Sequence, residues 1–188
     1  DIATQSYIKS FFHKSGSPAI SIARAGNVIG GGDFSKDRII PDLVKACSNK
    51  QEINVRNPFS IRPYQHVLEP LSAYLWIIYK QSNDRSFADS YNVGPNEDDC
   101  VTTKELVSLF CESWGEGARW VTNAQKNALH EANFLKLDCS KIKSRLGWHP
   151  IWDIRQAVAA TVDWSKVWLS GGDVSSEMDI QIKKYFGF

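Results

Sequence analysis

Apolar and polar positions alternate along the chain in short blocks of two kinds, helical and extended. In DIATQSYIKSFF, Ile2, Ile8, Phe11 and Phe12 share one face at helical spacing, so the opening reads as a helix running to about Lys14. Gly16 and Pro18 break it. AISIARA, Ala19 to Ala25, reads as a short strand. RIIPDLVKACSN reads as a helix with Pro41 in its first turn, and EINVRN as a strand with Ile53 and Val55 alternating. The next stretch is extended to about Gln65–Val67 and helical from Glu69, with Leu71, Leu75 and Ile78 on one face. SYNVGPN reads as a buried strand closed by a Gly-Pro turn.

The second half follows the same scheme. VTTKELVSLFCESWG is a helix capped by Thr102 or Thr103, with Leu106, Leu109 and Phe110 as its stripe. ARWVTNA is a candidate strand. LKLDCSKIKSRLGWHP holds a helix capped by Asp138 or Ser140 and stopped by Gly147. A last amphipathic helix runs through Ile154, Val158 and Val162. Strands alternating with helices predict an α/β fold, and the short pieces between Ile53 and Ala73 suggest a small α+β substrate-side subdomain. Helical spacing begins at Asp1, so the chain is expected to start inside a helix and to be one part, residues 1–188, of a larger unit.

Composition narrows the function. Apolar content of 43% with 12% aromatics fits a globular chain, and seven Trp call for large surfaces to bury. Lys and Arg number 22 against 21 Asp and Glu, with no basic tract, which disfavours nucleic acid as a partner. Cys47, Cys100, Cys111 and Cys139 lie far apart, without metal-ligand spacing, so no metal is expected and a reducing compartment is. No apolar run approaches the roughly 20 residues of a membrane span, and no signal peptide is visible. A cytoplasmic location is the expectation.

The stretch RAGNVIGGGD, Arg24 to Asp33, is the first candidate for chemistry. A dinucleotide fingerprint needs G-x-G-x-x-G between strand and helix, then an acid about 20 residues on. Here Gly30, Gly31 and Gly32 are contiguous and no such acid follows, so the match is weak, and a flexible turn is the competing reading.

In order along the chain come RAGNVIGGGD, KDRIIPDL, NPFSIRPYQHVLEPLSAY, YNVGP, HEANFLKLDCSK and LGWHP. This set resembles the C-terminal half of the extended short-chain dehydrogenase/reductase enzymes that act on nucleotide sugars, and most of all their CDP-glucose dehydratase branch. It covers Asp1 to about Trp168. The resemblance implies the C-terminal part of a Rossmann-type fold carrying a sugar-nucleotide subdomain. In such enzymes bound NAD oxidises the sugar at C4, water leaves across C5 and C6, and hydride returns to C6. The product is a 4-keto-6-deoxy sugar used for surface polysaccharide such as lipopolysaccharide. The family's glycine-rich cofactor loop, its Tyr-x-x-x-Lys pair and its dehydrating acid and base would lie ahead of residue 1. The 188-residue chain is therefore expected to be inactive by itself and not to retain NAD.

The resemblance also implies roles for single residues. Asn27 would help hold the substrate near its diphosphate and hexose, and Arg38 would reach the nucleotide. Arg62, in IRPYQHV, matches the arginine that grips the diphosphate, a task suited to a bidentate guanidinium. Asn92, in YNVGP, would sit near the phosphates. Arg24 and Ala25 would pass the nicotinamide through backbone and packing. His66 and Glu69 are read as structural. Where the wider family carries an arginine this chain has Asn127, and His130 or Lys136 would have to compensate. The family is often dimeric, so self-association is expected. Two other readings stay open: a stand-alone noncatalytic nucleotide-sugar-binding or interaction module, and a fragment of a related epimerase or decarboxylase.

Overall fold

A computed structural model describes residues 1–14, 16–122 and 134–188. Its elements in order are α1 (Ile2–Phe11), β1 (Ile22–Ala25), β2 (Asn27–Ile29), α2 (Ile39–Ser48), β3 (Ile53–Asn54), β4 (Tyr64–His66), α3 (Leu68–Asn83), β5 (Ser90–Val93), α4 (Thr103–Trp114), β6 (Trp120–Val121), α5 (Ser140–Leu146), α6 (Ile154–Leu169) and α7 (Val174–Phe186). Two short 3-10 turns flank β5.

Helices separate the strands that pair, so the pairs are parallel. β1 lies against β5 with Arg24 opposite Asn92, β2 against β4 with Asn27 opposite Tyr64, and β3 against β6 with Ile53 opposite Trp120. Only Gly26 separates β1 from β2. Its N–H donates to the Val93 carbonyl (3.0 Å), and the next N–H, of Asn27, donates to that of Pro63 (3.0 Å). The backbone thus changes partner strand within one residue. A Cβ on Gly26 would stand 2.7 Å from the Pro63 carbonyl oxygen, so the crossing requires glycine. The sequence reading took Asn27 to follow the strand, because the partner that makes 27–29 a strand lies far along the chain.

The larger core joins α2, α4 and α6 through Leu43, Leu106, Phe110, Val158 and Val162. A second core holds α3, β5 and α5 together through Ala73, Ile77, Tyr91, Val93 and Ile142. The helices of this second core are distant in sequence. Helical periodicity does not say which helices share a core. Capping boxes start α4 (Thr102 with Glu105) and α6 (Asp153 with Gln156), each satisfying end amides for roughly 1 kcal/mol. Gly147 ends α5 in the left-handed region, as its position predicts.

Two predicted apolar rows point outward. No residue of α1 is buried; of its predicted row Ile2 and Phe11 are exposed, and Ile8 and Phe12 are partly covered. On α3 the buried set is Glu69, Pro70, Ala73 and Ile77, while Leu71, Leu75 and Ile78 face out. α7 is fixed by a buried polar knot. Both Ile151 and Trp152 donate backbone N–H to the Glu69 carboxylate (Trp152 at 2.7 Å), and the Tyr185 hydroxyl donates to its other oxygen at 2.7 Å. Ser72 Oγ stands 3.0 Å from the Tyr185 hydroxyl and accepts from Trp148 Nε1. Glu69 is thus an anchor for distant chain, beyond the first-turn acid its position suggested. Among the described residues no helix is long and apolar enough to cross a membrane.

Candidate functional site

The switch of strand partner at Gly26 opens a crevice beside the ends of β1 and β2, the usual place for a ligand in an open α/β sheet. It is a cleft of about 530 Å³ lined by Gly26 to Gly30, Asp33, Asp37, Arg38 to Pro41, and Tyr64. One side is the start of α2. Arg38 is extended there and gives no side-chain cap, Ile39 and Ile40 begin the helix, and Pro41 has no N–H to offer. The first amides of a helix lack partners within it and carry the positive end of its dipole, so this edge favours an anion.

Arg38 strengthens that bias. Its Nη1 lies 3.4 Å from Asp33 Oδ2 in an exposed pair, which holds the two together only weakly. The Ser35 N–H donates to Asp33 (3.0 Å) and, with the charge of Arg38, keeps that carboxyl below the usual range. Asn27 also lines the cleft and is paired with Tyr64 across the β2–β4 ladder. A carboxamide can donate and accept there without charge.

The remaining candidates sit elsewhere. Arg62 lies just before β4, half-buried, with its Nη1 donating to the Ile61 carbonyl (2.9 Å). It does not line the cleft; burial pushes the nearby Tyr64 hydroxyl up, against the smaller lowering effects of Thr103 and of the Arg62 charge. Arg24, Ala25 and Asn92 lie across the β1–β5 pair and do not line the cleft. There Arg24 pairs with Asp1 and its Nη1 donates to Asn92 Oδ1 (3.4 Å), while Asn92 Nδ2 donates to the Asp138 carbonyl (3.0 Å). The structure therefore brings Asn27 and Arg38 together and puts Asn92 with Arg24. His130 and Asn127 lie outside the described residues. Lys136 is described, with its ammonium 5.5 Å from the Phe134 ring.

The glycine run has a different basis from the one its pattern suggested. Gly30 lines the cleft, but a Cβ there would meet Val67 at 3.0 Å. A Cβ on Gly31 would fall 2.0 Å from the Trp164 ring. The close approach at Gly31 is thus to a side chain of α6. Sequence reasoning also missed the anion-favouring start of α2; the available signal was Arg38 directly before IIP, with Pro41 marking the first turn. Beneath the cleft, His66 is buried, its Nδ1 accepts from the Leu68 N–H (3.3 Å), and burial lowers its pKa to about 4. It is neutral at pH 7. Among the described residues no three His, Cys, Asp or Glu side chains gather in a metal-binding group.

No protein-family model matches the chain. It is 40% identical over 179 residues to a CDP-glucose 4,6-dehydratase of Salmonella typhimurium, covering 93% of this chain and 50% of that protein. It is 23% identical over 182 residues to a dTDP-glucose 4,6-dehydratase of Xanthomonas campestris, covering 49% of it. Among solved structures, a UDP-glucose 4-epimerase of Thermotoga maritima with UDP-glucose aligns at a TM-score of 0.70 and 19% identity, over 89% of this chain and 52% of that one. A dTDP-glucose 4,6-dehydratase of Streptomyces venezuelae with NAD aligns at 0.68 and 17%, over 92% and 50%. The chain spans about half the length of the curated relatives it matches.

Proposed function

As the chain belongs to the extended short-chain dehydrogenase/reductase family, we propose that it is the C-terminal, nucleotide-sugar-binding part of an NAD-dependent CDP-glucose 4,6-dehydratase, a lyase that converts CDP-glucose to CDP-4-keto-6-deoxyglucose and water. The observation that carries this reading is the start of α2, uncapped and fronted by Arg38, opening into the same cleft as Asn27. A helix N-terminus with a guanidinium beside it suits a diphosphate. Asn27 is then placed for the sugar end. Arg62, outside the cleft lining, is the second residue offered for the phosphates, and Asn92 stands apart with Arg24 in the β1–β5 pair.

NAD comes with the relatives, several of which were solved as NAD complexes. The glycine run itself does not make a cradle for its pyrophosphate, because Trp164 fills the space at Gly31. Arg24 and Ala25 would meet the cofactor through backbone, since the Arg24 guanidinium is engaged by Asp1 and Asn92. This reading assigns the cofactor's phosphates and the catalytic groups to the half of the relatives that the chain does not match. The epimerase reading is weaker, as the epimerases share the fold at low identity while the dehydratase match stands at 40%.

Titration of the chain with CDP, UDP and cytidine tests the proposal. CDP should bind better than UDP and much better than cytidine. Arg38→Ala and Arg62→Ala should each weaken CDP by about tenfold, the low end for a lost charge-assisted hydrogen bond of ~1.5 kcal/mol, and leave cytidine nearly unchanged. Equal affinity for CDP and cytidine in the unaltered chain would overturn the reading.

A further inference from the structure

Residues 30–38 form one wall of the cleft and carry Asp33 and Arg38, yet none of them is helix or strand. Ordering such a segment costs conformational entropy that some contact must offset. The contacts come from behind, from α6. The ring of Trp164, a buried residue, occupies the space beside Gly31, where even a methyl group would overlap it. Three residues on, the Phe34 ring lies 4.7 Å from that of Trp168 and 6.5 Å from that of Trp164. On this rear side is a second pocket of about 360 Å³, lined by Phe34, Trp164 and Trp168 among others. The segment is therefore a partition between two cavities, with the polar one in front and its fastening at the rear.

We infer that Trp164 is a positioning residue for the cleft: seated against Gly31 and assisted by Phe34 on Trp168, it fixes where Asp33 and Arg38 stand and so sets affinity for the phosphate end of the ligand. This rests on reading the cleft as a nucleotide-sugar site. Gly31 is the socket in this arrangement, which accounts for a glycine at a position that does not line the cleft.

The test uses the 188-residue chain, with CDP and cytidine as probes and hydrogen exchange at residues 30–38 as a readout that needs no ligand. Gly31→Ala should speed exchange in this segment about tenfold while α4 is unchanged, and should weaken CDP about tenfold but cytidine far less. Loss of overall stability would weaken both ligands alike. Trp164→Ala should do the same, and Trp164→Phe, which keeps a ring in the socket, should recover most of the CDP affinity. Gly31→Ala combined with Trp164→Ala should be no worse than the weaker single variant, because both remove one contact. Phe34→Ala, at an exposed position, gives a milder loss and keeps the assay informative if Trp164→Ala does not fold. Wild-type exchange and CDP affinity in Gly31→Ala, or losses that add in the double variant, would overturn the inference. If the unaltered chain ignores CDP, the nucleotide reading falls, while the exchange data and the double variant still judge the clamp.

Discussion

His66 shows 2% of its surface, and its Nε2 has no hydrogen-bond partner among the described residues. Burial disfavours its charged form and brings its pKa to about 4, against an ordinary value of 6.5. The unfolded chain therefore takes up the proton first as pH falls. The stability tied to neutral His66 is complete above about pH 6.5 and is lost on the way down to pH 4, at most about 3 kcal/mol. Glu69 acts in the opposite sense: burial raises its carboxyl despite the donors around it, so its contribution shrinks as pH rises. Urea midpoints between pH 7 and pH 4.5 should fall for the unaltered chain and fall less for His66→Gln; identical slopes would rule out His66 as the source. At this scale the sequence was informative where chemistry is local. Asn27 and Arg38 do meet in one cleft. The pairing of Arg24 with Asn92 was not legible, because it depends on the register of two strands 68 positions apart.

Among the elements, α4 was readable from its cap, α5 from its stop at Gly147 and α6 from its apolar stripe, signals that lie within a few residues, although the cap position of α5 is Cys139 and not Asp138 or Ser140. α7 was not foreseen: its sequence carried little of the family resemblance, and no spacing rule says that Tyr185 reaches Glu69. The short β2 was hidden for the same reason, since three residues become a strand only beside a partner. The Tyr185 contact is open to measurement. Tyr185→Phe removes the hydroxyl and leaves the buried Glu69 carboxylate with backbone donors alone, which should cost about 1.5–3 kcal/mol in urea unfolding. Ser72→Ala, which leaves the Tyr185–Glu69 bond in place, should cost less. A neutral Tyr185→Phe would mean that α7 is held by its other contacts, among them the buried Gln181 bond to the Ala160 carbonyl.

For the molecule as a whole, the outward rows on α1 and α3 dominate. Leu75, Ile78, Phe11 and Ile2 are each more than half exposed. Apolar patches of this kind mark association surfaces. Sedimentation over a range of concentrations should show dimers or larger species, and Leu75→Lys with Ile78→Lys should shift them toward monomer. A chain that stays monomeric at every concentration would show that these rows need no cover. The same helix α3 depends on residues far behind it for its one buried carboxylate, as Tyr185 lies 116 positions after Glu69. A ribosome adding about 5–20 residues per second needs roughly 6–23 s to travel that distance. Throughout that interval the nascent helix carries a carboxylate whose hydroxyl donor has not been made, so the Tyr185 bond closes long after Trp148, the last residue of the core that α3 shares, has left the ribosome.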